Sequence, residues 1–196
     1  MLEQRYNLAV VLASSLYTFM LVRWHHKRFI STNIAFLFAR KSPFTPDLTY
    51  PFVGGFALSR PNAPGEISIS GPSPEELQVY LHPDLRVKLP QEPPKYTRAY
   101  DIYSFGLLLM EIGFWNTLSL ITSRKGKSSK LEPRVFREEA VGECKARLGC
   151  WMGERYRDVT LRCLNIGNEA EGGIGEGLND FYWKVVIELI ECAPSH

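Results

Sequence analysis

The sequence lacks the marks that would assign a function at once. Its four cysteines, Cys144, Cys150, Cys163 and Cys192, form no C-x-x-C pair, and none of its four histidines stands at metal spacing to them. That spacing argues against a zinc site and against a disulfide framework. Without such a framework a reducing, cytoplasmic (intracellular) setting is expected. An excess of one charge is also missing: 23 basic residues against 21 acidic ones leave a formal +2. A nucleic-acid binder carries a marked basic excess, so no nucleic-acid partner is expected. Internal repeats and low-complexity tracts are absent, which excludes solenoids and arrays.

What remains is 196 residues, 45% apolar and 22% charged. That length suits one domain able to bury a core without staples. The longest apolar stretch, Leu8 to Val22, covers roughly 15 residues, short of the ~20 that span a bilayer. The basic cluster Arg23 to Arg28 follows it, whereas a secretory signal carries its positive charge in front. A buried core helix is the reading, and no membrane partner is expected. The alternative, a membrane anchor, predicts solubility that depends on detergent. A second basic run, Arg124 to Lys130, reads as a solvated loop rather than a phosphate-contacting patch.

Periodicity places the first helix over about Glu3 to Leu21, with Leu8, Val11, Leu12, Leu16 and Phe19 recurring at three and four residues. Asn33 to Phe38 reads as a short strand, Lys41 to Pro51 as a proline-punctuated connection, and Phe52 to Leu58 as a second strand interrupted by glycine. Ser59 to Pro94 holds eight prolines, which excludes a long helix or a central strand there. Tyr96 to Trp115 gives the strongest helix. Phe105, Leu108, Leu109 and Ile112 line one face, and Leu107 and Met110 widen it until the helix is expected to be buried nearly all round. After a polar linker, Ser119 to Lys130, helices are expected over Pro133 to Leu148, Arg155 to Leu164 and Leu178 to Cys192. Cys163 and Cys192 read as small buried hydrophobes.

Three segments fall in an informative order. The first is His26-Lys27-Arg28-Phe29-Ile30-Ser31-Thr32-Asn33. The second is Gly54-Gly55-Phe56-Ala57-Leu58-Ser59-Arg60. The third is Asp101-Ile102-Tyr103-Ser104-Phe105-Gly106-Leu107-Leu108-Leu109-Met110-Glu111-Ile112. They resemble, in turn, the catalytic loop H-R-D-L-x-x-x-N, the D-F-G segment and the buried central helix of protein kinases. Tyr80-Leu81-His82-Pro83-Asp84 is similar to the A-P-E end of the activation segment. The Trp24-His25-His26-Lys27 segment, Gly55-Phe56 and the ending Glu111-Ile112-Gly113-Phe114-Trp115 resemble in particular the divergent kinase-like domains of filamentous fungi.

The resemblance implies a mainly α fold with a small β component, a protein-kinase-like C-terminal lobe over residues 1–192 with the N-lobe missing. Within it lie a catalytic-loop region at 22–38, an activation-segment-like region at 53–94, a central helix at 96–115 and C-terminal helices at 133–192. Chemically, the resemblance implies a lost activity. The catalytic-base position holds Arg28, whose guanidinium has no acceptor. The magnesium-binding position holds Gly55, which has no side chain. Asn33 alone remains as a degenerate cofactor ligand, beside Gly55 and Phe56. No cofactor is expected, and ATP and magnesium enter only under the alternative reading, a divergent kinase whose N-lobe lies elsewhere. The Gly172-Gly173-Ile174-Gly175 run follows no strand and does not read as a phosphate loop.

The scaffold positions are kept. His26, Phe56 and Asp101 stand where kinases build their packed regulatory column. Asp101 is expected to accept backbone hydrogen bonds from the loop around His26, or else to cap a helix before Ile102. Asp84 is expected to pair with a late arginine such as Arg162. Retained packing with lost chemistry implies a pseudokinase that works through protein partners. The face that an N-lobe would cover is expected to expose apolar surface and favour association.

Overall fold

Leu8, Leu12 and Leu16 recur one turn apart and bury together with Tyr6, Ala9, Ala13 and Met20 on one face of helix α1 (Leu2–Leu21). This is the computed structural model of the chain, which describes residues 2–39, 42–61, 75–86, 95–122, 132–167 and 176–193. Val11 and Phe19 depart from the expected stripe: Val11 is exposed and Phe19 only partly buried. The narrow face of Ala9 and Ala13 lets the C-terminal helix lie close, and the Tyr182 hydroxyl donates to the Ala13 carbonyl. No helix among the described residues is long and apolar enough to cross a membrane.

The next stretch is built from very short pieces. Strands β1 (Trp24–His25), β2 (Ile34–Ala35), β3 (Phe38–Ala39), β4 (Ser42–Pro46), β5 (Phe52–Val53) and β6 (Arg60–Pro61) form three separate antiparallel pairs, β1 with β6, β2 with β5 and β3 with β4. Three expectations change here. The run Asn33 to Phe38 is not one strand: a 3-10 turn at Ser31–Asn33 precedes two short strands. The connection Lys41 to Pro51 contains β4. The second strand stops at Val53, because Gly55 takes a left-handed conformation (φ 81°, ψ 26°), and Phe56–Leu58 form a 3-10 turn. Two further 3-10 turns, Glu75–Tyr80 and Pro83–Arg86, hold the described part of the proline-rich stretch. Residues 62–74 and 87–94 of that stretch, the basic run Arg124 to Lys130 and the Gly172 to Gly175 run lie outside the described residues.

Helix α2 (Arg98–Phe114) is the centre of the molecule, and every one of its residues is buried. Such a helix exposes no side to water, which fits its lack of a polar stripe. Helix α3 (Leu118–Thr122) occupies the start of the expected polar linker and buries Leu118, Ile121 and Thr122. Helix α4 (Pro133–Glu143) opens with Pro133 in the first turn, where its missing N–H costs nothing. A π-helical turn, Cys144–Leu148, runs straight into α5 (Gly149–Leu164). The helix expected at Arg155 therefore begins earlier, and the break falls inside it at Gly153 (φ 77°, ψ 159°). The Tyr6 hydroxyl donates to the neighbouring Met152 carbonyl at 2.6 Å.

Helix α6 (Glu176–Cys192) completes the body against α1 and α5. α2 and α5 approach closely at Gly106, where an added Cβ would lie 2.9 Å from Cys163 Cβ. Cys163 is buried as expected of a small hydrophobe, and Cys144 is buried as well, whereas Cys192, expected to be buried, is only half-buried. The architecture is mainly helical with a small β component.

Candidate functional site

The loop after α1 must reverse direction within a few residues, and it does so on two strained positions. Arg23 and Lys27 both have positive φ, 54° and 67°, a conformation that disfavours side chains with a Cβ. Their cost is borne by a tether from α2. Asp101, in the first turn of that helix, accepts the His26 N–H at 3.1 Å and the Lys27 N–H at 2.8 Å. The Tyr96 hydroxyl donates to the same carboxylate at 2.8 Å. Asp101 therefore holds the loop and is not a helix cap; Thr97 occupies the cap position. Burial pushes the Asp101 carboxyl up to about 6, against the pull of these donors and of the Lys27 ammonium.

His26 is fully buried in an aromatic cage. Its ring meets Phe19, Phe29 and Phe56 edge-on at centroid distances of 5.6, 5.3 and 4.9 Å. Nδ1 accepts the Arg28 N–H at 3.3 Å, and burial holds the imidazole down at about 4. The ring is thus neutral at physiological pH and serves as packing. Phe56 was expected in the core, but it remains 46% exposed. One edge of its ring covers His26 and Phe19, and the remainder faces solvent.

Asn33 and Gly55 come together. The Asn33 side-chain amide donates to the Arg28 carbonyl at 2.8 Å, and the Gly54 N–H donates to the Asn33 carbonyl at 2.8 Å. A Cβ built on Gly55 would overlap Asn33 Nδ2 and Cγ. The Asn33 amide thus fills the space that a side chain at 55 would need, while its own donor is committed to the backbone. These residues do not fit a magnesium–nucleotide complex: they offer no carboxylate, and the Asn33 amide oxygen alone is a weak ligand for a cation that prefers carboxylates. Among the described residues no cluster of three His, Cys, Asp or Glu side chains could hold a metal ion.

Asp84 does not meet Arg162. Arg162 is hydrogen-bonded to Glu188, and Asp84 Oδ2 lies 3.4 Å from His82 Nδ1. His82 itself is buried between Tyr100 and Tyr103, and burial lowers its pKa.

Sequence reasoning missed one polar group. Glu111 sits on the buried helix α2, where its Oε1 accepts the Tyr80 hydroxyl at 2.7 Å and the Leu118 N–H at 2.9 Å. The Ser31 hydroxyl lies 3.0 Å from that of Tyr80, and Ser104 donates to the Tyr80 carbonyl. One signal was available: a carboxylate in a helix with no wet face must find donors inside.

The fold and site define a mainly helical domain in which a strained loop is tied to a buried central helix by a single carboxylate. The chain belongs to the family described as a domain of unknown function (DUF7580), whose model matches residues 1–190. No curated protein matches it.

Proposed function

We propose that this chain is a protein-kinase-like C-terminal lobe that has lost phosphoryl transfer and acts inside the cell as an interaction or regulatory module. The observation that carries the reading is the Asn33–Gly55 contact. The position resembling the magnesium aspartate cannot accept a side chain without displacing the one amide left at the site. Arg28, at the position resembling the base, has no acceptor to take a substrate proton. The tether of Asp101 and the cage around His26 meanwhile supply what a scaffold needs, a fixed loop on a rigid helix.

Surface chemistry supports the interaction role. Half of the large exposed apolar side chains among the described residues fall between Leu21 and Phe56, including Leu37, Phe38, Tyr50 and Phe52. Such side chains, where they adjoin one another, mark interfaces more often than inert surface.

The test is a thermal melt with and without magnesium and ATP. A ligand at about 100 times its dissociation constant stabilises the folded state by ~2.7 kcal/mol. For a domain of this size each kcal/mol moves the midpoint by about 2–4 °C. The expected result is a cooperative melt with no shift at millimolar nucleotide. A magnesium-dependent rise of several degrees would overturn the reading.

A further inference from the structure

A cavity of about 330 Å³ opens between α1, the start of the loop region and the C-terminal half of α2. That size is at the lower end of the ~300–1,000 Å³ usual for ligand-holding clefts. Helix α1 contributes Leu8 and Leu12, one turn apart, and α2 contributes Leu108 and Ile112 at the same spacing. Ile34 of β2 and Phe36, two residues on, complete the apolar lining.

The polar side chains inside are spent on the protein itself. Glu111 is only 7% exposed, and it is held by the Tyr80 hydroxyl, the Leu118 N–H and the Ser31 hydroxyl. The other polar residues of the lining, Asn116 and Thr117, are exposed and so belong to the mouth. There Asn116 Oδ1 accepts the Thr117 N–H, and the Thr117 hydroxyl pairs with that of Ser119. A ligand that carried a charge into the interior would give up its water and gain no partner, an arrangement that costs heavily. An apolar body pays no such cost and gains from leaving water.

One wall is fixed in advance. Trp115, which lines the cavity, ends α2 in a left-handed conformation (φ 52°, ψ 45°). The Arg5 guanidinium lies 5.2 Å from the centre of its ring and donates to the Gly113 carbonyl, so the indole is held from α1 while it remains 44% exposed. Strained non-glycine residues cluster where ligands are held. A ring already held in place loses little freedom when a ligand packs on it.

We propose that this cavity binds a compact, uncharged, largely apolar molecule of about the size of a substituted benzene ring. Its hydrocarbon body fills the space between α1 and α2 against Trp115, and charged molecules of the same shape are rejected, whichever their sign. The site does not depend on the loss of phosphoryl transfer.

The test uses three probes of nearly one shape on the full chain: isopropylbenzene, which is uncharged, benzamidinium, which is positive, and benzoate, which is negative. Amide shifts in a ¹H–¹⁵N spectrum are the readout. Isopropylbenzene should shift the amides of Leu8, Leu12, Phe36 and Ile112 and leave those of Val185 and Leu189 in α6 in place. Both ions should bind at least about tenfold more weakly. Leu108→Phe fills the interior and should weaken isopropylbenzene binding, with the same spectrum reporting whether the fold is kept. Thr117→Phe obstructs the mouth from an exposed position, where it leaves the core intact, and should weaken binding as well. Shifts confined to Leu37, Phe38 and Phe52, which are exposed elsewhere on the loop region, would mean adherence to the surface and would overturn the proposal. So would the absence of any shift at the solubility limit of isopropylbenzene, an ion that binds as tightly as the hydrocarbon, or unchanged binding in Thr117→Phe.

Discussion

The helical body and the loop region between Trp24 and Pro61 are stabilised in different ways. In the body, α1, α2, α5 and α6 bury Leu12, Phe105, Val185 and Leu189 almost completely, and the force is non-directional apolar burial. In the loop region the strands are mostly two residues long, and two-stranded pairs of that length are not stable alone. Direction replaces area there: one carboxylate, one caged imidazole and one asparagine hold the chain. Burial spread over many side chains tolerates small losses, whereas a few tethers can each be cut.

The largest effect should come from the body. Phe105 is fully buried and meets the rings of Phe29 and Tyr182 at 6.0 and 5.9 Å. Phe105→Ala should cost about 3–5 kcal/mol, seen in urea melts as one cooperative loss affecting both regions. Loss of the loop alone would break the comparison.

Cutting the tether should be smaller and local. In Asp101→Asn one oxygen can still accept, but the amide N–H₂ faces the His26 N–H. One donor left unpaired costs about 1–3 kcal/mol. Amide exchange should quicken between His25 and Asn33 while α5 and α6 stay protected, since local opening draws on the less stable parts of a fold. Uniform quickening would mean that the loop and body form one cooperative unit.

The two regions differ in how far they could be read in advance. α1 and α2 follow from apolar spacing, because burial on a helix leaves a periodic record. The Asp101 tether was open to sequence reading only through resemblance, and the residues alone suited a helix cap equally well. The strand breaks at Asn33 and Val53 could not be placed, because two-residue pairings leave no alternation to detect. The position of Asp84 beside His82 depends on a 3-10 turn, and Arg162 is bonded to Glu188 across two helices. Neither leaves a local trace. Glu111 left one, a lone acid in an apolar helix, but its partners Tyr80 and Leu118 come from other elements.

The pH response sharpens the comparison, because tether and cage titrate with opposite signs. Asp101 has a folded pKa near 6 against an ordinary 3.8. Between those values the unfolded chain has lost a proton that the folded chain keeps, so stability falls as pH rises from about 4 to 6. His26 has a folded pKa near 4 against 6.5. Over that window the unfolded chain holds a proton that the folded chain refuses, so stability rises with pH. Each is worth on the order of 3 kcal/mol, and they nearly cancel. Glu111, raised by burial, and His82, lowered by burial, form a second opposed pair. The natural chain should therefore show little slope from pH 4 to 6. His26→Phe should lose stability as pH rises through that window, and Asp101→Asn should gain it. Equal slopes in all three urea-melt series would show that these groups do not set the response.

The smallest effects, and the finest test of directional control, lie at two adjacent glycines. A Cβ on Gly54 would meet only the Asn33 carbonyl oxygen at 3.5 Å, an ordinary contact. Gly54 also has no positive φ, so Gly54→Ala should stay within about 0.5 kcal/mol. Gly55 differs on both counts. Its φ of 81° costs a residue with a Cβ about 1–2 kcal/mol, and that Cβ would also strike the Asn33 amide. Gly55→Ala should therefore destabilise by more than the backbone term alone and break the Asn33–Arg28 hydrogen bond. Adding Asn33→Gly removes the obstacle, so the double variant should recover the steric part and leave the backbone part. A double-mutant cycle with no coupling between positions 33 and 55 would mean that the loop yields to accommodate the new atom, and direct crowding would then not explain why position 55 is empty of a side chain.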